Sequence, residues 1–144
     1  MVKKRVGRPH VESVMRIIEV KSVPMYVTQR INDRWHTHRP GGDSWLQVRG
    51  TMDEPIEGQS VVEVSIHECE PDERGTHEPT NSIGTLIQLR PNAQIVLDMP
   101  AKTFGRLWTM AAGGRLRHIW LSMTKPKGKD IQVVSVSFQN EPIE

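Results

Sequence analysis

The chain is short of most features that identify a function at sight. It has one cysteine, Cys69, in 144 residues. A single thiol makes no internal disulfide. This is therefore not a disulfide-built secreted module, and a reducing compartment, the cytoplasm, is the expected setting. No apolar run approaches the ~20 residues of a membrane-spanning helix, so no membrane is expected among the partners. The opening MVKKRVGRPH has the charges of a signal peptide's first part, but Glu12, Arg16, Glu19 and Lys21 break the stretch that follows, and no signal is expected. A large excess of one charge is also lacking. The net charge of +2 names no polyanionic partner by itself.

Catalytic motifs are missing too. No glycine-rich loop follows a strand and opens a helix, since Gly113-Gly114 comes at a helix end. Cys69 and His67 point alike on an extended chain, yet nothing supplies an oxyanion hole. The acids crowded between residues 53 and 78 fall in turns and on a polar strand face. These absences predict a protein that binds rather than catalyses.

What is present is β patterning. Ser60 to Cys69 alternates most clearly, with Val62, Val64 and Ile66 on one face and Glu63, Ser65 and His67 on the other. That is the pattern of an antiparallel sheet with one face in water. Val11 to Val23 is dense in β-branched residues and reads as a strand with Val14, Ile18 and Val20 on one side, although the spacing also admits a helix. After Pro24, Met25 to Ile31 reads as a second strand forming a hairpin with the first. Further strands are predicted at 44–52, 83–89, 93–97, 116–123 and 131–138, the last with Val134, Val136 and Phe138 on one face. Turns are predicted at 53–59 and 125–130, and polar loops at 32–43 and 70–82.

One segment changes period. Phe104, Leu107, Trp108 and Ala111 sit at i, i+3, i+4 and i+7, which makes one apolar helical face. Asp98 and Pro100 suit the start of this helix and Gly113-Gly114 its end. The expected fold is all-β and mainly antiparallel: a β-sandwich or partly open barrel of about eight strands with one short amphipathic helix near 100–113. Residues 1–10 are expected to form a disordered basic tail, and 11–140 a single β domain.

Three groups of residues are candidates for binding. The loop residues Arg34, Trp35, His36, His38 and Arg39 combine cationic and aromatic groups fit to grip an anion or a sugar. His36 and His38 share one side of an extended chain, and His67 and Cys69 repeat that spacing. If the fold unites the pairs, they make a zinc-type site. The competing reading is six histidines scattered on polar faces.

The third group is basic. Lys3, Lys4, Arg5 and Arg8 flank Gly7 and Pro9. Gly7-Arg8-Pro9 among bases resembles the minor-groove hook called the AT-hook, over these seven residues alone. Val6 stands where the hook has arginine. The resemblance implies arginine laid along an AT-rich groove floor. Arg115, Arg117, Lys125 and Lys127 around Trp120 extend the basic character, a mixture suited to single-stranded nucleic acid.

Charge is also segregated. Residues 51–78 hold nine acids against Arg74, and residues 100–129 hold seven bases and no acid. Two such stretches attract each other within one fold or between copies. The leading expectation is a non-catalytic interaction domain whose partner is another protein or a copy of itself. Nucleic-acid binding and metal or small-ligand binding are the alternatives.

Overall fold

The computed structural model describes residues 13–30, 41–68, 83–124 and 131–141. The chain forms β1 (Ser13–Ser22), β2 (Met25–Arg30), β3 (Gly41–Ile56), β4 (Gln59–Glu68), β5 (Gly84–Gln88), β6 (Ala93–Met99), α1 (Ala101–Ala112), β7 (His118–Thr124) and β8 (Gln132–Gln139). The strands make one sheet in the order β1-β7-β8-β5-β6-β4-β3-β2, and an added β1–β3 pairing closes seven of them into a barrel with β2 left outside. The expectation of an all-β fold with about eight strands and one helix holds, in its barrel form. The expected tail at 1–10 lies outside the described residues. Among the described residues no helix is long and apolar enough to cross a membrane.

The alternation read from the sequence builds the interior. Ile18, Leu46, Val48, Val62, Val64, Ile66, Ile95, Leu97, Ile119, Leu121, Met123 and Val133 point inward and are at most 1% exposed. A barrel of this strand number has a bore that side chains fill. α1 packs over the end at which β4 and β6 finish, burying Phe104, Leu107 and Ala111. Gly114, at φ +72°, ends it; the Gly114 and Arg115 amides donate to the Ala111 and Met110 carbonyls at 3.0 Å. The predicted stripe and stop are both as read. The start falls at Pro100, which caps the helix without a side-chain hydrogen bond, while Asp98 still belongs to β6.

Four features differ from the sequence reading. First, β1 and β2 form no hairpin. Both run along the same edge of β3, β1 opposite Arg49–Met52 and β2 opposite Gly41–Leu46. Pro24 only interrupts this line, because its carbonyl still accepts the Gln47 amide at 2.9 Å. Second, β3 is longer than expected at both ends. Gly41–Asp43 pair with Thr28–Arg30 instead of bending, and the strand persists to Ile56. The reversal needs only Glu57 and Gly58, at φ 47° and 84°, the positive pair of a tight hairpin turn. Third, β4 runs parallel to β6, although its other neighbour β3 is antiparallel. Fourth, β8 changes phase. A bulge opposite Ser122–Met123 puts Val133 inside and leaves Val134 39% exposed, while Val136 and Phe138 still pack on the core.

Closure depends on a close approach at Gly50, which faces Val20 of β1. A Cβ there would strike the Glu19 carbonyl oxygen and stand 2.8 Å from Ile18 Cγ2. Past Met52, β3 swings away from β1. The Ile17 amide donates instead to Asp53 Oδ1 at 2.8 Å, and Arg16, only 6% exposed, donates from Nε to the Glu54 carbonyl at 2.9 Å. Burial lowers the pKa of Arg16, opposed by the nearby Glu54 and Asp53 carboxylates. With so high an intrinsic pKa the guanidinium stays charged.

Gly50→Ala is expected to lose about 1–3 kcal/mol or more, the range of an overpacked contact, because the obstacle is backbone. Gly105→Ala is the control. Its Cβ would meet nothing within 4 Å on the exposed side of α1, and a gain of about 0.5–1 kcal/mol is expected. Urea unfolding midpoints check both signs.

Candidate functional site

With the bore filled, the candidate surfaces lie outside the barrel. The most ordered set of polar and aromatic side chains lies where β2, β3 and β4 run side by side. Trp45 has opposite phase to the buried Leu46, so its ring stands on the outer face. The register aligns it with Tyr26 on β2 and His67 on β4. Tyr26 and Trp45 stack at 4.8 Å between ring centroids, 16° from parallel. Trp45 and His67 follow at 6.1 Å and 18°. The first spacing matches the ~4.8 Å between neighbouring strands, so the rings stand upright and lean face to face. Asp98 continues the row on β6. Below the rings, Gln47, Ser65, Glu63 and Arg49 make a hydrogen-bonded patch closed by an Arg49–Glu63 ion pair at 3.1 Å.

This ladder ends at an open edge. β2 is the last strand of the sheet, and among the described residues no strand pairs with its outer side. Pro24 bonds to β3, and in an antiparallel pair such residues alternate. Tyr26 and Thr28 therefore direct their amides to β3, whereas Met25, Val27 and Gln29 direct theirs outward. Val27 is 70% exposed and Tyr26 37%, high values for apolar groups on a strand. The open edge continues downward into a cleft of about 770 Å³ between Val20–Val23 and the segment from Gly114 to His118. There the Val20 amide donates to the carbonyl of Arg117, the residue before β7, at 2.9 Å. Glu19 and Lys21 pair at 3.2 Å on the rim, and buried His118 contacts the Glu141 carbonyl through Nδ1 at 2.7 Å.

The residues singled out in the sequence are placed as follows. His67 is half-buried in the ladder, its ring against Trp45. Its partners in the zinc reading, His36, His38 and Cys69, lie outside the described residues, as do Arg34, Trp35 and Arg39. Among the described residues no three metal-ligating side chains gather. Lys3, Lys4, Arg5, Arg8, Lys125 and Lys127 also lie outside. Arg115 and Arg117 are exposed beside the end of α1, which itself exposes Lys102 and Arg106. Trp120 is half-buried on the outer face of β7, between Ile17 and Ser137, and its enclosed indole N–H has no hydrogen-bond partner among the described residues. Asp53, Glu54 and Glu57 sit at the opposite end of the barrel from α1, whereas Glu63 lies within β4 and Glu68 at its α1 end, so the acids of this stretch are spread along the barrel.

Sequence reasoning passed over Tyr26 and Trp45. The available signal was the antiparallel pairing of β2 with β3, which brings these two aromatics opposite one another. Compared with known proteins, the chain matches no family model, no curated protein and no solved structure.

Trp45→Ala removes both ring contacts without opening the barrel. A loss of about 1–3 kcal/mol and a collapse of the near-ultraviolet circular dichroism are expected. Leu46→Ala, one residue away but inside, is expected to lose about 2–5 kcal/mol. Denaturant melts of the two variants separate outer-face from core energetics.

Proposed function

We propose that the chain is a non-catalytic interaction domain of the cytoplasm that associates with copies of itself through the open edge of β2. The observation that carries this reading is the line of outward amides at Met25, Val27 and Gln29, unpaired among the described residues, beside an exposed Val27. Natural sheets blunt such edges with charge, proline or a covering segment. Within β2 itself, MYVTQR, proline is absent and charge is confined to Arg30. A strand added here satisfies backbone groups and removes Val27 from water in one step, the mode of β-augmentation.

The test uses a residue that donates nothing within the fold. Val27→Pro removes only an outward N–H, which edge strands tolerate. The wild-type chain is expected to form a dimer by light scattering, and Val27→Pro to remain monomeric with an unchanged far-ultraviolet spectrum. A monomeric wild type at high concentration overturns the reading. Because the edge is uncharged from Ser22 to Gln29, the dimer is expected to persist at high salt, unlike one held by the segregated charges.

A second reading has its own observation. Lys102, Arg106, Arg115 and Arg117 are exposed around α1, and no ion pair engages them among the described residues. Such an end suits a phosphate backbone. A titration with single- and double-stranded DNA is expected to show affinity falling steeply as salt rises. Lys102→Glu with Arg106→Glu is expected to abolish it.

A further inference from the structure

We infer that the second copy docks antiparallel on β2 with Tyr26 opposite Tyr26, joining the two three-ring ladders into one continuous stack of six rings. This rests on the self-association proposed above and specifies its register.

Three observations select the register. The first is the position of Tyr26 in the hydrogen-bond pattern. Its amide faces β3, so on the open edge it occupies a non-hydrogen-bonded site. Directly opposed residues at such sites approach most closely, with Cα atoms ~4.5 Å apart. The ladder already repeats at 4.8 Å from Trp45 to Tyr26, and the outer face of Tyr26 is the next place in it. A tyrosine from a second copy fills that place at nearly the same spacing.

The second observation is Val27. In this register Val27 of each copy lies beside Met25 of the other on the opposite face of the sheet. Met25 is half-buried against the barrel core, so the exposed Val27 gains an apolar neighbour that is already anchored. The outward amides then meet as Met25–Val27 pairs, and those of Gln29 fall opposite Val23 of the other copy.

The third observation is room and charge. The strand of one copy must run on past Pro24 of the other. There β1 has left β7, and the cleft of about 770 Å³ beside Ser22 and Val23 lies along that path. Residues 22–29 carry no charge, so two copies running antiparallel bring no like charges together. Registers centred on Val27 or on Thr28 keep the backbone bonds, but they set Tyr26 against Thr28 or against Arg30.

Single cysteines separate these arrangements, since a disulfide needs Cα atoms within about 7 Å. In a Cys69→Ser background, Tyr26→Cys, Val27→Cys and Thr28→Cys each report one symmetric register. Mild oxidation is expected to link the Tyr26→Cys chain into a covalent dimer well ahead of the other two. Faster linking of Val27→Cys or Thr28→Cys overturns the register while leaving edge association standing. No linking in any variant, with a monomeric wild type, overturns both. A complementary measurement leaves the chain free of cysteine at the contact. Tyr26→Phe is expected to keep the wild-type dimer dissociation constant within about threefold. Tyr26→Ala is expected to raise it more than tenfold, and an unchanged constant for Tyr26→Ala overturns the stack.

Discussion

Closure of the barrel rests on a short stretch of backbone pairing between β1 and β3, and that pairing exists because Gly50 has no side chain. Where the two strands meet, the space that a Cβ would need is taken by the Glu19 carbonyl and the Ile18 side chain. β1 can therefore serve two neighbours, β7 on one side and β3 on the other. Without that contact the sheet would present two long edges and an uncovered row of Val, Ile and Leu side chains. With it, the inward faces of seven strands meet each other, and α1 has a closed end to sit on. Gly84 plays a related part where β5 crosses β6, since a Cβ there would stand 2.5 Å from Leu97 Cδ2. Each glycine sits at a crowded strand contact and not in a turn, which is why backbone proximity is its reason.

The same closure leaves the candidate surfaces on the outside. A bore filled from wall to wall leaves no interior volume for a ligand. It also creates a fork. β3 is long enough to line the barrel with one half and to project past it with the other, while the line formed by β1 and β2 divides at Val20. Below the fork both sides of that line are paired. Above it, among the described residues, one side is open. The aromatic ladder stands on the outer face above the fork, beside the open edge.

Much of the architecture was legible because periodicity is local. The stripe Phe104, Leu107, Trp108 and Ala111, the double glycine that ends it and the alternation Val62, Val64, Ile66 each depend on a few consecutive residues. The misreadings came from features whose meaning is set by distant partners. Pro24 resembles a turn residue, yet its carbonyl keeps a ladder bond to Gln47. Pro55 resembles another, yet β3 runs through it because Glu57 and Gly58 take the positive angles that the reversal needs. Val134 continues an alternation that a bulge breaks one residue earlier. The ladder was the least legible part of all. Tyr26, Trp45 and His67 are unremarkable in sequence and become neighbours only through the registers of β2, β3 and β4. His67 drew notice for its ring nitrogens, whereas its observed contact is through the face of its ring.

The fork at Val20 also divides the molecule into parts of unequal cohesion. Peeling β2 from β3 breaks one short ladder that contributes none of the fully buried residues, whereas releasing β7 removes Ile119, Leu121 and Met123 from the core. Amide hydrogens at Tyr26 and Thr28 are thus shielded by a local opening, and those of Ile119 and Leu121 by global unfolding. β2, with its exposed Val27, belongs to the softer part. Mutational drift there is decoupled from the folding of the barrel, so the outer face and edge of β2 are free to diverge while the core stays constant.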